Sequence, residues 1–332
     1  MARNLPRDEE MGRRQASQTV ILHSIGARRN VAAAGVLLGL TAALCQSLSY
    51  VGSRWFLVSR PGGVAALFPA SHFVMAVLSL FALPFLRWSE MPEPGRYIVP
   101  LCGAAGFYLA GQASLFVALK RVESSRIAPL LGLKIVVLAG IATLFLHESL
   151  AMRQWIAVAM CASAAAILGI SGGAAPFVSM AWLFGACVWY SLSDLSIALL
   201  IRRLEPLQLA DASVAGVAMS YLLCGVSVLP VVLLRSGCRS FWADTAASIP
   251  YSVMWLLGMV FLYACFGAVG AVYGNILQST RGIMSVAIGA AVARLGFTGI
   301  ERRAGPAVWL GRLAAAGLMT AAIWVFHSAS RG

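Results

Sequence analysis

The sequence predicts an all-α membrane protein of about ten transmembrane helices, arranged as two inverted five-helix repeats. Its residues are 60% hydrophobic and only 11% charged, whereas charged residues make up roughly a quarter of a soluble domain. The apolar residues form runs of about 20, the length of a helix that crosses a bilayer, and they lack the alternation of barrel strands. A pattern of polar residues in the first half also recurs in the second.

The chain begins with a polar segment and continues with one apolar run after another. Residues 1–30 contain six arginines and predict a disordered cytoplasmic tail. The first repeat is predicted at residues 31–171, and a second, more divergent repeat at 176–327. Short links with proline, glycine and charge separate the spans, and Trp and Tyr lie near several span ends, as interfacial belts require. The ten predicted spans are 31–53, 64–86, 97–119, 124–146, 152–171, 176–200, 209–234, 250–273, 277–299 and 305–327.

Basic residues indicate the orientation and the partners. They are more numerous in the segments on the same side as the tail, which predicts an inner (cell) membrane protein with both termini in the cytoplasm. The formal net charge is +13, but the arginines are scattered at the ends of apolar runs and form no basic face, so no nucleic-acid partner is expected. The expected partners are the lipid bilayer and a small-molecule substrate, and a homodimer stays open.

Two short patterns repeat along the chain. Residues 46–50 read Gln-Ser-Leu-Ser-Tyr in span one, and residues 190–194 read Tyr-Ser-Leu-Ser-Asp in span six. A carboxylate also closes spans four and nine, at Glu148 and Glu301. Because five is odd, two copies of five spans have opposite topology, and inverted repeats around a midplane site are typical of secondary transporters. A chance match between Ser- and Ala-rich helices is the alternative.

Residues 118–169 resemble one EamA unit of the drug/metabolite transporter superfamily. The resemblance is carried by Ala118-Leu119-Lys120, by Glu123-Ser124-Ser125, by His147-Glu148 and by the small-residue span that follows. The second half resembles a more divergent copy that opens span nine with Ser279-Thr280-Arg281-Gly282. His147 stands where the family usually has Gly, and Lys134 lies near a position where many members carry Pro. The resemblance implies ten helices and the export or exchange of a small metabolite, without ATP hydrolysis.

Two charged residues lie deep inside predicted spans. Lys134 has no charged residue within seven positions on either side, and Asp194 is the only carboxylate away from a helix end. Because a charge at the bilayer centre costs at least about 2.5 kcal/mol, such residues are usually paired or functional. We expect Lys134 to take part in binding a substrate anion or in proton coupling, with a structural ion pair as the alternative. A Lys134–Asp194 pair is the specific hypothesis.

Further candidates are uncharged or weakly basic. His72 in span two is either a proton carrier, since its unperturbed pKa lies near 6.5, or a packing histidine. Gln46, Tyr50, Trp189 and Tyr190 lie at matching places in spans one and six. They are expected either to line a cavity that orients the substrate or to form interhelical hydrogen bonds.

Arginines near the ends of the last two spans suggest a gate. Arg294 and Arg312 each lie one or two turns inside their spans, and Arg294 is seven residues from Glu301 on the same helix side. A gate at the outer face is one interpretation, and packing with the charge directed to the interface is the other. Arg281, which opens span nine in a polar link, is expected at the interface.

No motif for a cofactor, a metal or catalysis is present. The seven cysteines lack CxxC and Cys/His spacing, and neither a Walker sequence nor a hydrolase motif occurs. The inverted repeats predict a secondary active transporter rather than an enzyme, and the resemblance to EamA units implies an exporter or exchanger of a small metabolite. The alternatives are an integral-membrane enzyme that acts on lipid and a structural or regulatory membrane protein that transports nothing.

Overall fold

The computed structural model describes residues 7–119, 131–145, 147, 149–170, 177–296 and 306–329. These residues contain helices and turns and no strand, so the predicted all-α class is confirmed. The α-helices are α1 (Arg7–Ser59), α2 (Gly63–Ala82), α3 (Pro94–Leu119), α4 (Lys134–Phe145), α5 (Met152–Ile170), α6 (Phe177–Arg203), α7 (Leu209–Arg235), α8 (Arg239–Val269), α9 (Ala271–Ser279), α10 (Arg281–Arg294) and α11 (Pro306–Ala329).

Six helical segments of the described chain are long and apolar enough to cross a bilayer. They are Ala33–Ser59, Gly63–Phe85, Pro94–Leu115, Phe177–Arg203, Leu209–Arg235 and Arg239–Val269. Three shorter apolar helices lie at Lys134–Leu144, Met152–Ile167 and Gly317–Ser328. A helix is favoured in each case because it satisfies its own backbone hydrogen bonds, which lipid cannot do. The membrane class is therefore confirmed, while the count of ten spans stays a prediction.

The helix boundaries differ from the predicted spans at several points, two of them at the starts of α1 and α8. Helix α1 begins at Arg7, so the structure carries a helix through the tail that the sequence predicted as disordered. Helix α8 begins at Arg239 rather than at residue 250, and Pro250 lies inside it. The polar residues at the start of α8 reduced the apolar signal there, although they form a continuous helix with the apolar residues that follow.

The helices pack in pairs, and each main pair joins a helix of the first half of the chain to a helix of the second half. The most extensive contacts join α1 to α8, α3 to α6, α2 to α7 and α5 to α11. Small residues allow the close approach. A Cβ atom added at Gly258 of α8 would lie 2.9 Å from Cγ of Gln46 and 3.3 Å from the carbonyl oxygen of Ala42, both on α1. The absence of a side chain at Gly258 therefore sets the distance between α1 and α8.

Two breaks in the helices position the basic residues of the interior. Helix α9 ends at Ser279, and Thr280 separates it from α10, where its hydroxyl donates to the carbonyl of Leu277 (2.6 Å). Helix α4 follows a 3-10 turn at Leu131–Leu133. Arg281 is therefore the first residue of α10, and Lys134 is the first residue of α4, although the predicted span 124–146 put Lys134 near its centre.

Candidate functional site

Lys134 and Asp194 form the ion pair that the sequence suggested. The Lys134 Nζ atom donates to Oδ2 of Asp194 at 2.9 Å, and the two side chains are only 14% and 7% exposed. Asp194 lies four residues from the midpoint of α6, which is about 6 Å along the helix. The pair therefore joins the start of α4 to the middle of α6.

Helix α6 holds Lys134 at two points. The Ser191 hydroxyl, one turn before Asp194, shares its proton between the carbonyl oxygens of Cys187 on its own helix (2.7 Å) and of Lys134 (3.1 Å). Helix α6 therefore contacts both the ammonium and the backbone of Lys134.

Arg281 makes a second set of contacts, with helix α1. Its Nη1 atom donates to Oε1 of Gln46 at 2.8 Å, and its guanidinium carbon lies 5.5 Å from the centroid of the Tyr50 ring, within the range of a cation–π interaction. The Ser47 hydroxyl donates to the carbonyl oxygen of Arg281 at 3.1 Å. Gln46 and Tyr50 lie in the middle of the membrane-capable part of α1.

The two basic residues occupy corresponding positions. Ser47 and Ser191 are separated by 144 residues in the repeated pattern. Each hydroxyl shares its proton between a carbonyl of its own helix, at 2.7 Å, and the carbonyl of the first residue of a short helix, at 3.1 Å. The same spacing relates Tyr50 to Asp194. The contact of Arg281 with the Tyr50 ring therefore corresponds to the contact of Lys134 with Asp194.

The expected interfacial position of Arg281 is corrected by these contacts. The residue lies between α9 and α10 and against the middle of α1, and it is partly buried. Its polar neighbours Ser279 and Thr280 resemble a span end in the sequence. The signal that was overlooked is the repeated pattern itself, because a second copy of Ser191 at Ser47 implies a second basic partner.

Tyr50 belongs to an aromatic cluster. Its centre is Tyr108 of α3, whose ring centroid is 6.3 Å from those of Tyr190 and Trp255 and 5.7 Å from that of Tyr221. The Trp255 indole N–H donates to the Tyr221 hydroxyl at 2.6 Å. The cluster, called here the tyrosine cluster, comprises Tyr50, Tyr108, Tyr190, Tyr221, Tyr251 and Trp255.

The space beside the tyrosine cluster is small. A cavity of about 10 Å³ lies between α3, α6, α7 and α8, and Tyr108, Tyr221 and Ser193 line part of it. This volume suits roughly one water molecule. The helices must therefore separate before a metabolite enters this part of the protein.

The structure brings most of the predicted site residues together. Gln46 and Tyr50 contact Arg281, and Tyr190 belongs to the tyrosine cluster. His72 is buried, with its ring 5.6 Å from that of Tyr108. Because the Phe68 carbonyl, 2.8 Å away, accepts from Nδ1, Nε2 is the acceptor in the neutral ring, and it has no partner among the described residues.

Trp189 does not join the tyrosine cluster. It is 37% exposed, and its ring stacks on that of Phe107 with centroids 5.9 Å apart. Tyr190 is the next residue on α6, and successive residues point about 100° apart around a helix. The contact with Phe107 places Trp189 beside the outer part of α3 rather than among the interior tyrosines.

The remaining predicted site residues are those of the possible gate. Arg294 lies exposed in the last turn of α10. Glu301 is outside the described residues, and so is the side chain of Arg312, although its backbone belongs to α11. The gate stays a prediction. Within the described part of the chain, no group of three or more His, Cys, Asp or Glu residues could hold a metal ion.

Comparisons with known proteins show what the chain resembles. A search of curated proteins finds no match. A solved crystal structure has a similar fold, with a TM-score of 0.53 and 16% sequence identity, over 88% of this chain and 96% of that one. Residues 33–170, which include Gln46, Tyr50 and Lys134, match the model of the EamA-like transporter family. This region is therefore similar to the EamA-like transporter family, which is part of the drug/metabolite transporter superfamily.

Proposed function

We propose that the protein is a secondary active transporter, an exporter or exchanger of a small metabolite, in a cell inner membrane with both termini in the cytoplasm. The observation that carries this proposal is the correspondence between Lys134 and Arg281. Each is the first residue of a short helix and is held through its carbonyl by a serine of a distant helix. Discontinuous helices that meet near the midplane form the binding sites of many secondary transporters.

The packing of the helices supports two inverted halves, α1–α5 and α6–α11. The contact of α1 with α8 corresponds to that of α6 with α3, because each joins the first helix of one half to the third of the other. The contact of α1 with α10 also corresponds to that of α6 with α4, because α10 and α4 are the short helices that begin at Arg281 and Lys134. Alternating access would follow if one half rocks against the other.

The Lys134–Asp194 pair would couple this motion to binding. It joins α4 of the first half to α6 of the second, so separating the halves at this point exposes both charges. An arriving proton on Asp194 or an anion at Lys134 would weaken the pair and stabilise the separated arrangement. A ligand shifts such an equilibrium only by its different affinity for the two states.

Counterflow in proteoliposomes tests the proposal. Purified protein is reconstituted, a panel of metabolites is loaded inside, and uptake of the same labelled solutes is measured. We expect exchange of at least one solute, and we expect Lys134→Met and Asp194→Asn each to reduce its rate roughly tenfold or more, since truncating one partner of a buried charge pair costs at least about 2 kcal/mol.

The exposed ion pair of Arg87 is the matched control. Arg87 lies in the link between α2 and α3, contacts Glu90 and Asp211, and is 52% exposed, so Arg87→Met should leave exchange unchanged. If exchange and its pH dependence are intact in both Lys134→Met and Asp194→Asn, the pair takes no part in transport. If no solute of a broad panel exchanges, the protein is not the proposed transporter.

A further inference from the structure

The interior charges of the described helices do not balance. Lys134 and Asp194 neutralise each other at 2.9 Å. Arg281 has no carboxylate within salt-bridge distance among the described residues. Asp244, the other largely buried carboxylate of the described helices, is already paired with Arg60 at 2.6 Å. The site thus carries one unbalanced positive charge, which is costly in a membrane interior unless an anion accompanies it.

The neutral neighbours of Arg281 orient its guanidinium without neutralising it. Gln46, which is 1% exposed, accepts one hydrogen bond through Oε1, and its own Nε2 is directed to the sulfur of Met259 at 3.4 Å. Tyr50 supplies a ring face. A guanidinium has five N–H donors, and Gln46 takes one of them among the described contacts. The other donors keep the planar fork that binds a carboxylate with two hydrogen bonds.

A second observation also indicates a polar ligand at this break. Gln278 lies three residues before Arg281, at the end of α9, and is 3% exposed. Neither its amide nitrogen nor its amide oxygen has a partner among the described residues, and the same is true of Oδ1 of Asn275, one turn earlier. Buried amides are nearly always hydrogen-bonded. An organic acid could accept from the Gln278 amide N–H while Arg281 binds its charge.

We propose that Arg281, with Gln46 and Tyr50, binds the carboxylate of a monoanionic organic acid, and that this acid is the transported substrate. This inference rests on the proposed function and names its substrate class. One unbalanced positive charge selects one negative charge. A zwitterion fits less well, because Lys134 already holds the carboxylate that its ammonium would need.

The apolar part of the acid would lie against the tyrosine cluster. The Tyr50 ring lies beneath the Arg281 guanidinium, and its centroid is 6.4 Å from that of the Trp255 ring. The Trp255 centroid in turn lies 5.9 Å from that of Tyr251 and 6.3 Å from that of Tyr108. Aromatic walls beside a single fixed charge favour a carboxylate with an apolar or aromatic body. Growth of the apolar chain should therefore strengthen binding.

Ligand-dependent thermal stabilisation of the purified full-length protein tests this inference, because a ligand of the native state raises the unfolding temperature. The probes are acetate, butyrate and 3-phenylpropionate as monocarboxylates of increasing apolar size. The neutral 3-phenylpropanamide and the zwitterion phenylalanine are the comparison ligands. We expect stabilisation to increase along the carboxylate series and to be largest for 3-phenylpropionate, with little from the amide or the zwitterion.

Variants locate the binding site. Arg281→Gln should weaken the apparent affinity for 3-phenylpropionate roughly tenfold or more, since hydrogen bonds to charged groups contribute about 1.5–3 kcal/mol. Arg281→Lys, which keeps the charge but loses the planar fork, should have an intermediate affinity. Arg239→Gln is the matched control, because Arg239 is exposed at the start of α8, and it should bind as the original protein does.

Three results would overturn the assignment. They are equal stabilisation by acid and amide, an undiminished response in Arg281→Gln, and no response to any monocarboxylate of the series. The first and third need no variant, so a poorly folded Arg281→Gln protein does not prevent the test. If the protein exchanges other solutes in vesicles but binds no monocarboxylate, the substrate class is wrong and the transporter function stands. If it binds 3-phenylpropionate through Arg281 and exchanges nothing, the transporter function fails instead.

Discussion

Lys134 and Asp194 are largely buried in apolar surroundings, and each compensates the charge of the other. The Lys134 ammonium lies 2.9 Å from the Asp194 carboxylate, with little access to solvent. Removing one partner leaves a buried charge without compensation, which typically costs about 3–5 kcal/mol, whereas replacing both by apolar or neutral groups is often nearly neutral. The stability of the protein should therefore respond differently to single and double substitution.

We predict that Lys134→Met and Asp194→Asn each lower the thermal unfolding midpoint in detergent, and that the double variant recovers much of the loss. The single losses should correspond to about 3–5 kcal/mol each. Arg87→Met is again the control, and its exposed pair should contribute less than about 1 kcal/mol. Additive losses in the double variant would mean that the two charges do not interact energetically.

Among the helices, the contact between α1 and α8 controls the position of Gln46. A Cβ atom at Gly258 would crowd Cγ of Gln46, Cβ of Cys45 and the carbonyl oxygen of Ala42, at 2.9, 3.2 and 3.3 Å. The backbone carbonyl cannot move independently of its helix. A methyl group at Gly258 therefore separates the two helices or displaces Gln46, which holds the Arg281 guanidinium.

We predict that Gly258→Ala destabilises the protein by about 1–3 kcal/mol, the usual cost of overpacking, and also weakens the binding of 3-phenylpropionate. Gly106→Ala is the matched control, because a Cβ atom at Gly106 of α3 would meet nothing within 4 Å. Thermal unfolding of both variants, with and without 3-phenylpropionate, measures the two effects. An unfolding midpoint for Gly258→Ala equal to that of Gly106→Ala would show that α1 and α8 tolerate the extra volume.

At the scale of the whole molecule, one exposed cysteine allows the predicted orientation in the membrane to be tested. Cys238, in the link between α7 and α8, is exposed, and five of the other six cysteines are buried. The sixth, Cys102, is exposed on the membrane-capable helix α3. With both termini in the cytoplasm, α7 runs outward and Cys238 faces the outside of the membrane.

We predict that a membrane-impermeant maleimide labels Cys238 in intact cells, or in spheroplasts if an outer membrane is present. Replacing Cys238 by Ser should abolish the labelling, which identifies the modified thiol. A permeant maleimide applied to the same cells controls for the reactivity of the thiol. Labelling that requires disruption of the inner membrane would reverse the assigned orientation.

The membrane class and part of the site could be predicted from the sequence, because their signals are local. A run of about 20 apolar residues forms a helix in lipid whatever surrounds it, and the predicted spans 64–86 and 97–119 agree with Gly63–Phe85 and Pro94–Leu119. Lys134 and Asp194 were recognisable because a charge within such a run is costly without a partner.

The contacts of Arg281 and the direction in which Trp189 points depended on the tertiary structure. A helix that is apolar all round has no polar face to indicate which side meets protein and which meets lipid, since both are apolar. Trp189 and Tyr190 are therefore equivalent in the sequence, although only Tyr190 joins the interior cluster. Arg281 likewise resembled a span end until the packing of α1 placed Gln46 and Tyr50 against it. Apolar length determined that the helices form, and the contacts between distant helices decided which polar groups meet.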